Sequence, residues 1–88
     1  MTNAREAVFQ AISTEREHQE QKWPRGTGCA RSIGEEILCM EECLLAARGA
    51  WQRGDDFTPS DAEVMLSHVR KVAAVAVRCM ENHGAPAR

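Results

Sequence analysis

The sequence lacks any long uninterrupted apolar run. No stretch approaches the roughly 18–20 uncharged apolar residues that a membrane span requires. Residues 1–10 also lack an apolar run after a positive segment, so they do not have the pattern of a signal peptide. We therefore expect a cytoplasmic protein with no membrane partner.

An excess of positive charge is also missing. Eleven lysines and arginines stand against 13 acidic residues, for a formal net charge of −2. Such a chain has no overall attraction to the phosphate backbone of DNA or RNA, so we expect no polymeric nucleic-acid partner. The hydrophobic fraction of 43% and the charged fraction of 27% are those of a folded globular protein.

A disulfide framework is not expected either. The four cysteines are Cys29, Cys39, Cys43 and Cys79. Without an export signal they should stay reduced and pack as small apolar side chains. Cys39 and Cys43 lie four residues apart, but no Cys-x-x-Cys pair or nearby histidine accompanies them, so they are typical of core residues rather than metal ligands.

The short length limits the core that one chain can form. Its 88 residues suit one helical domain over residues 1–88. A domain of this size buries only about 60–65% of the surface that its unfolded chain exposes, which is marginal for stability. Oligomerisation would bury additional surface and so compensate for the small core.

The periodicity of apolar residues predicts three helices and no strand. The first runs over about residues 3–22, has a polar second half, and stops at Trp23-Pro24 because the residue before proline avoids the α region. The second starts at Ser32, which forms a capping box with Glu35. Its apolar stripe recurs at spacings of three and four: Ile33, Ile37, Met40, Leu44, Ala47 and Trp51.

The third helix is predicted to start with a second capping box, Ser60 with Glu63, and to end at Gly84. Residues 72–77 read Val-Ala-Ala-Val-Ala-Val and have no polar face. Such a segment is expected to be buried on all sides by partner helices. The expected fold is therefore all-α, a three-helix protomer whose bundle is completed by oligomerisation.

Four acidic residues of the second helix could bind Mg²⁺ through carboxylate oxygens: Glu35, Glu36, Glu41 and Glu42. The other interpretation is a solvated acidic face on which Glu35 serves as a cap. A metal site would need further carboxylates from another helix. The middle of the third helix supplies His68, Arg70 and Lys71 instead.

Four cations surround Trp23 and lead into the start of the second helix: Arg16, Lys22, Arg25 and Arg31. A helix start favours anions, so this region would suit a small phosphate-bearing ligand. The alternative is that these side chains only keep a loop soluble. Arg70 and Lys71 form a second basic pair, beside His68.

Two segments resemble small helical proteins of tailed phages. Residues 15–23 read Glu-Arg-Glu-His-Gln-Glu-Gln-Lys-Trp and look like the Glu-Arg-x-x-Gln-x-x-Lys-Trp-Gly opening of these proteins. Residues 70–84 resemble their closing helix.

One related family is the MazG-like nucleotide pyrophosphohydrolases. Their second helix reads Glu-Glu-x-x-Glu, and their third helix supplies Glu-x-x-Asp to complete a magnesium site. When Glu41 and Glu42 are aligned with the first pair, Leu45 stands at the third acid. His68 and Lys71 stand at the last two. The resemblance therefore implies a centre that has lost three of five acids, and we expect no catalytic residue, no metal and no cofactor.

The other is the phage anti-CBASS protein 2 family, helical sponges that assemble as hexamers and sequester the cyclic nucleotides of bacterial defence. The resemblance rests on the Met-x-x-x-Leu-x-x-Ala pattern of Met40, Leu44 and Ala47 and on the chain length. It implies a cyclic dinucleotide site between protomers at His18, Arg31 and Ser32. It also implies a separate cyclic trinucleotide pocket, at Arg70, where third helices meet. A MazG-like hydrolase and a structural phage module are the alternatives.

Overall fold

The computed structural model describes residues 3–22, 31–52 and 59–88. Helix α1 spans Ala4–Lys22, α2 spans Ile33–Gln52 and α3 spans Pro59–His83, and these ranges contain no strand. The all-α, three-helix prediction is confirmed. Within the same ranges, no helix combines the length and the apolar content needed to cross a membrane. Trp23 and Cys29 lie outside the described residues.

The capping box at the start of α2 is confirmed. The backbone N–H of Glu35 donates to Ser32 Oγ at 3.1 Å, and the Ser32 N–H donates to Glu35 Oε1 at 3.0 Å. The hydrogen bonds from Ser32 favour the ionised carboxylate and so lower the pKa of Glu35 below 4.5. The helix start is therefore specified by two residues three positions apart.

Replacing Ser32 with alanine should lower the free energy of unfolding by about 1 kcal/mol at pH 7, because one orphan N–H loses its acceptor. The lowered pKa of Glu35 is a separate, pH-dependent contribution, and its largest cause, the hydrogen bond from the backbone N–H of residue 32, is retained in the alanine variant. This contribution is present above pH 4.5 and is lost as the pH falls through the folded-state pKa. Urea titrations at pH 7 measure the difference between the two proteins. Equal stability of the two proteins at pH 7 would contradict the cap.

The start of α3 differs from the prediction, whereas its end agrees. The helix begins at Pro59, so Ser60 lies inside the first turn and is not the cap. Proline is well suited to a first helical position because its missing N–H would have no intrahelical acceptor there. At the other end, Gly84 has φ of 109°, and its N–H donates to the Met80 carbonyl at 2.8 Å. This is a left-handed glycine cap.

Helix α3 lies between the other two helices of the chain. Helices α1 and α2 each pack against α3, and they do not contact each other over the described residues. In these ranges the buried apolar residues are Ala50, Ala74 and Val75. Ala74 and Val75 belong to the apolar segment 72–77, whose other four residues are half-buried. The protomer therefore covers part of that segment, and cover by a partner stays a prediction.

The polar half of α1 contributes more to the interior than its apolar half. Glu15, Arg16 and Gln19 are buried, whereas Val8 and Phe9 are 54% and 60% exposed. The reason is that α1 meets α3 through ion pairs. Arg16 binds Glu81, and Arg70 binds Glu15.

The apolar stripe of α2 does not face the interior as predicted. Ile37 is 49% exposed and Trp51 64%, while Glu36, expected on another face, is fully buried. Glu36 turns toward α3 because Arg78 lies there and neutralises its charge. The prediction of a solvated acidic face is therefore wrong for Glu36, although it holds for Glu35, Glu41 and Glu42, which are exposed.

Candidate ligand-binding site

Arg31 lies where the start of α2 meets the end of α3. Its guanidinium Nη1 donates to Cys39 Sγ at 3.3 Å, and its carbonyl oxygen lies 2.8 Å from His83 Nε2. A carbonyl can only accept, so His83 Nε2 must carry a proton in this contact. His83 thereby fixes the backbone of Arg31 from the end of α3. The sequence pattern did not identify His83, although the glycine cap after it marked the end of its helix.

Ser32 can take part in binding while it caps α2. Its Oγ accepts from the Glu35 N–H, so its hydroxyl proton can still be donated to a ligand. The Glu35 carboxylate binds the Ser32 N–H, however, and places a negative charge at the same helix start. An anion here would depend on Arg31 to offset that charge.

His18 lies on a different element from Arg31 and Ser32. It is exposed on α1, and α1 does not pack against α2 over the described residues. Arg16 of α1 and the Arg31 carbonyl both contact the last turns of α3, through Glu81 and His83 respectively.

Arg70 lies on α3 and is held by a partner that the sequence did not indicate. Its Nε donates to Glu15 Oε1 at 2.7 Å. The Arg70 side chain is 44% exposed, whereas that of Glu15 is 7% exposed. This pairing uses Nε and leaves the terminal amino groups of an exposed guanidinium as donors for a ligand.

Two adjacent residues of α1 reach in opposite directions along α3. Glu15 pairs with Arg70, while Arg16 pairs with Glu81 and also with Glu20. Residues 70 and 81 are about 16 Å apart along a helix axis. The two side chains therefore lie on either side of the alanine-rich segment, and α1 crosses α3 there. Over the described residues, Arg16 Nη1 and Gln19 Oε1 are buried without a hydrogen-bond partner.

The contact between α2 and α3 contains a buried carboxylate–guanidinium pair. Arg78 Nε donates to Glu36 Oε2 at 2.7 Å, and Arg78 Nη2 donates to Oε1 at 2.8 Å. The hydrogen bonds to Glu36 raise the pKa of Arg78 against the smaller effect of burial. Burial also raises the pKa of Cys43, which favours an inert thiol.

The described residues contain no group of three or more histidine, cysteine or acidic side chains placed to hold a metal ion. Glu41, Glu42 and Leu45 are all exposed on α2, and Lys71 is exposed on α3. Cys39, Cys43 and Cys79 are half-buried free thiols.

Comparisons with known proteins place this chain in no family: no family model, no characterised protein and no solved structure matches it.

Proposed function

We propose that this protein is a non-enzymatic phage sponge that sequesters cyclic dinucleotides and trinucleotides in the cytoplasm of the infected bacterium, and so antagonises CBASS-type defence. It acts as a homo-oligomer, expected to be a hexamer. The observation that supports this most is the exposed start of α2. There Arg31 is fixed by His83 beside the capping hydroxyl of Ser32. A phosphate at this position would meet the positive end of the helix dipole, and it would receive a charge-assisted hydrogen bond once the Arg31 guanidinium turned from Cys39 Sγ to the helix start.

The site that would combine His18 with Arg31 and Ser32 is proposed to lie between protomers, as the resemblance to the anti-CBASS family implies. Each protomer would contribute α1 with His18 to one pocket and the start of α2 to the next. Arg70 belongs to a different helix and would serve the second, trinucleotide pocket.

The contact between α2 and α3 supports a binder rather than a hydrolase. The buried α2 carboxylate at this contact is that of Glu36, and the guanidinium of Arg78 neutralises it. A MazG-like centre would need carboxylates to face each other at this contact.

The test is to incubate the purified protein with cyclic dinucleotides or trinucleotides, remove free ligand, denature the protein by heat and identify what is released. Intact ligand supports a sponge. Hydrolysed product would indicate the MazG-like alternative, and no uptake would leave a structural phage module.

The two pockets should respond to different substitutions. Arg31→Ala should weaken cyclic dinucleotide binding about ten- to a hundredfold and spare trinucleotides, since one charged contact contributes about 1.5–3 kcal/mol. Removing Arg70 should do the reverse. Calorimetry with both ligands measures each effect.

A control is needed because removing Arg70 alone leaves the Glu15 carboxylate buried without its partner. The comparison is therefore made between Glu15→Leu, which keeps Arg70, and the double variant Glu15→Leu/Arg70→Ala. Equal losses for both ligands would argue for a single pocket. No loss in either variant would remove Arg31 and Arg70 from the site.

A further inference from the structure

One surface of α2 combines exposed apolar side chains with two opposite charges. We call it the outer face, and it comprises Leu38, Glu41, Leu44, Leu45, Arg48 and Trp51. All six are exposed, and the four apolar side chains are 51–64% exposed. At 3.6 residues per turn the six lie within an arc of about 140°, which also contains the exposed Ile33, Ile37 and Gln52. Glu36 and Ala50, which are buried, lie on the opposite side of the helix.

The chain exposes more surface than a compact monomer would. Its accessible surface is 6950 Å², against about 5,200 Å² expected for a folded monomer of this length. A standard interface buries about 800 Å² on each partner. The exposed apolar side chains of the outer face are suited to be covered by such an interface.

The outer face is complementary to itself when two copies run antiparallel. If a two-fold axis passes between residues 44 and 45, Leu44 of one copy lies opposite Leu45 of the other. The same axis places Glu41 opposite Arg48 and Leu38 opposite Trp51. These three pairs are chemically matched, with two apolar pairs and one ion pair, whereas the axis sets the apolar Ile37 opposite the polar Gln52 at the rim. A parallel arrangement would instead place Glu41 opposite Glu41 and Arg48 opposite Arg48, and like charges would repel.

We propose that the outer face is the interface between two copies of this chain, which pair antiparallel about a two-fold axis between Leu44 and Leu45. Such an interface is isologous, because the same patch is used on both sides. The inference depends on the surface of α2 and not on nucleotide binding. It gives the assembly a contact different from the α3 segment at residues 72–77.

The charges test the antiparallel register. Glu41→Arg and Arg48→Glu should each weaken self-association by about tenfold or more, since each places like charges opposite one another twice per dimer. The double variant should restore it. Glu42→Arg makes the same change one residue further along, off the outer face, and should leave self-association unchanged. Sedimentation equilibrium of the full chain over a range of concentrations measures each mass.

The apolar pair at the axis tests the interface itself. Leu44→Glu should weaken self-association roughly a hundredfold, because it buries a charge at the centre of the contact. Leu44 is exposed in the protomer, so helicity measured by circular dichroism should persist. A native chain that is monomeric at 100 μM, or a Leu44→Glu variant with unchanged mass, would overturn the proposal. A double charge variant that stays dissociated would overturn the antiparallel register.

Nucleotide uptake is measured separately on the same samples. Failure of the sponge proposal would appear as absent uptake by a chain that still associates, so the two outcomes are distinguishable.

Discussion

Replacing Arg78 with methionine is expected to lower the free energy of unfolding by about 3–5 kcal/mol. The Glu36 side chain is 1% exposed and would lose the two hydrogen bonds that compensate for its burial. For a domain of this size, such a loss corresponds to a drop of well over 10 °C in melting temperature. The variant should therefore be partly or fully unfolded at 37 °C.

Urea titration followed by circular dichroism measures this loss, and Arg5→Met is the matched control. Arg5 is exposed on α1, so the same substitution should change stability by less than about 0.5 kcal/mol. The double variant Glu36→Leu/Arg78→Leu should recover much of the loss, because it removes both charges and leaves apolar side chains in their place. Equal effects of Arg78→Met and Arg5→Met would mean that the pair does not stabilise the fold.

The Glu15–Arg70 ion pair joins α1 to α3, and the loss of stability should depend strongly on which of its two residues is removed. Arg70→Ala is expected to lower the free energy of unfolding by about 1.5–3 kcal/mol, because it leaves the buried Glu15 carboxylate without a partner. Glu15→Ala leaves Arg70 behind, and its side chain is 44% exposed and can be solvated by water. The decrease in the free energy of unfolding caused by Glu15→Ala should therefore be clearly smaller.

Thermal unfolding of both single variants and the double variant measures this asymmetry. The double variant should be more stable than Arg70→Ala alone, since no carboxylate is left unpaired. If Glu15→Ala lowered the melting temperature more than Arg70→Ala, the burial of Glu15 would not explain the difference between the two variants.

Features set by neighbouring residues could be predicted from the sequence. The Ser32–Glu35 capping box and the Gly84 cap depend on contacts three and four residues apart along the chain. The helices, their number and most of their bounds follow from such local signals. The orientation of α2 does not, because Glu36 is drawn inward by Arg78, 42 residues away.

The same distinction applies to the candidate site. Arg31 and Ser32 were predicted at the start of α2 because the capping box locates that start. His83 was not predicted to join them, because it is 52 residues from Arg31 and approaches only through the packing of α3. The pairing of Arg70 with Glu15 spans 55 residues and was missed for the same reason. A pattern of acidic and basic residues along α1 gives no indication of which of them are buried.

The small apolar interior of the protomer also has a calorimetric consequence. Heat capacity rises on unfolding mainly because apolar surface becomes hydrated, while exposure of polar surface lowers it. A protomer held largely by Glu36–Arg78, Glu15–Arg70 and Arg16–Glu81 exposes little apolar surface that was not already in water. We therefore expect its stability to change gently with temperature. If a second copy covers the outer face as proposed, unfolding of the assembled chain would expose that surface too and would curve the stability more steeply with temperature.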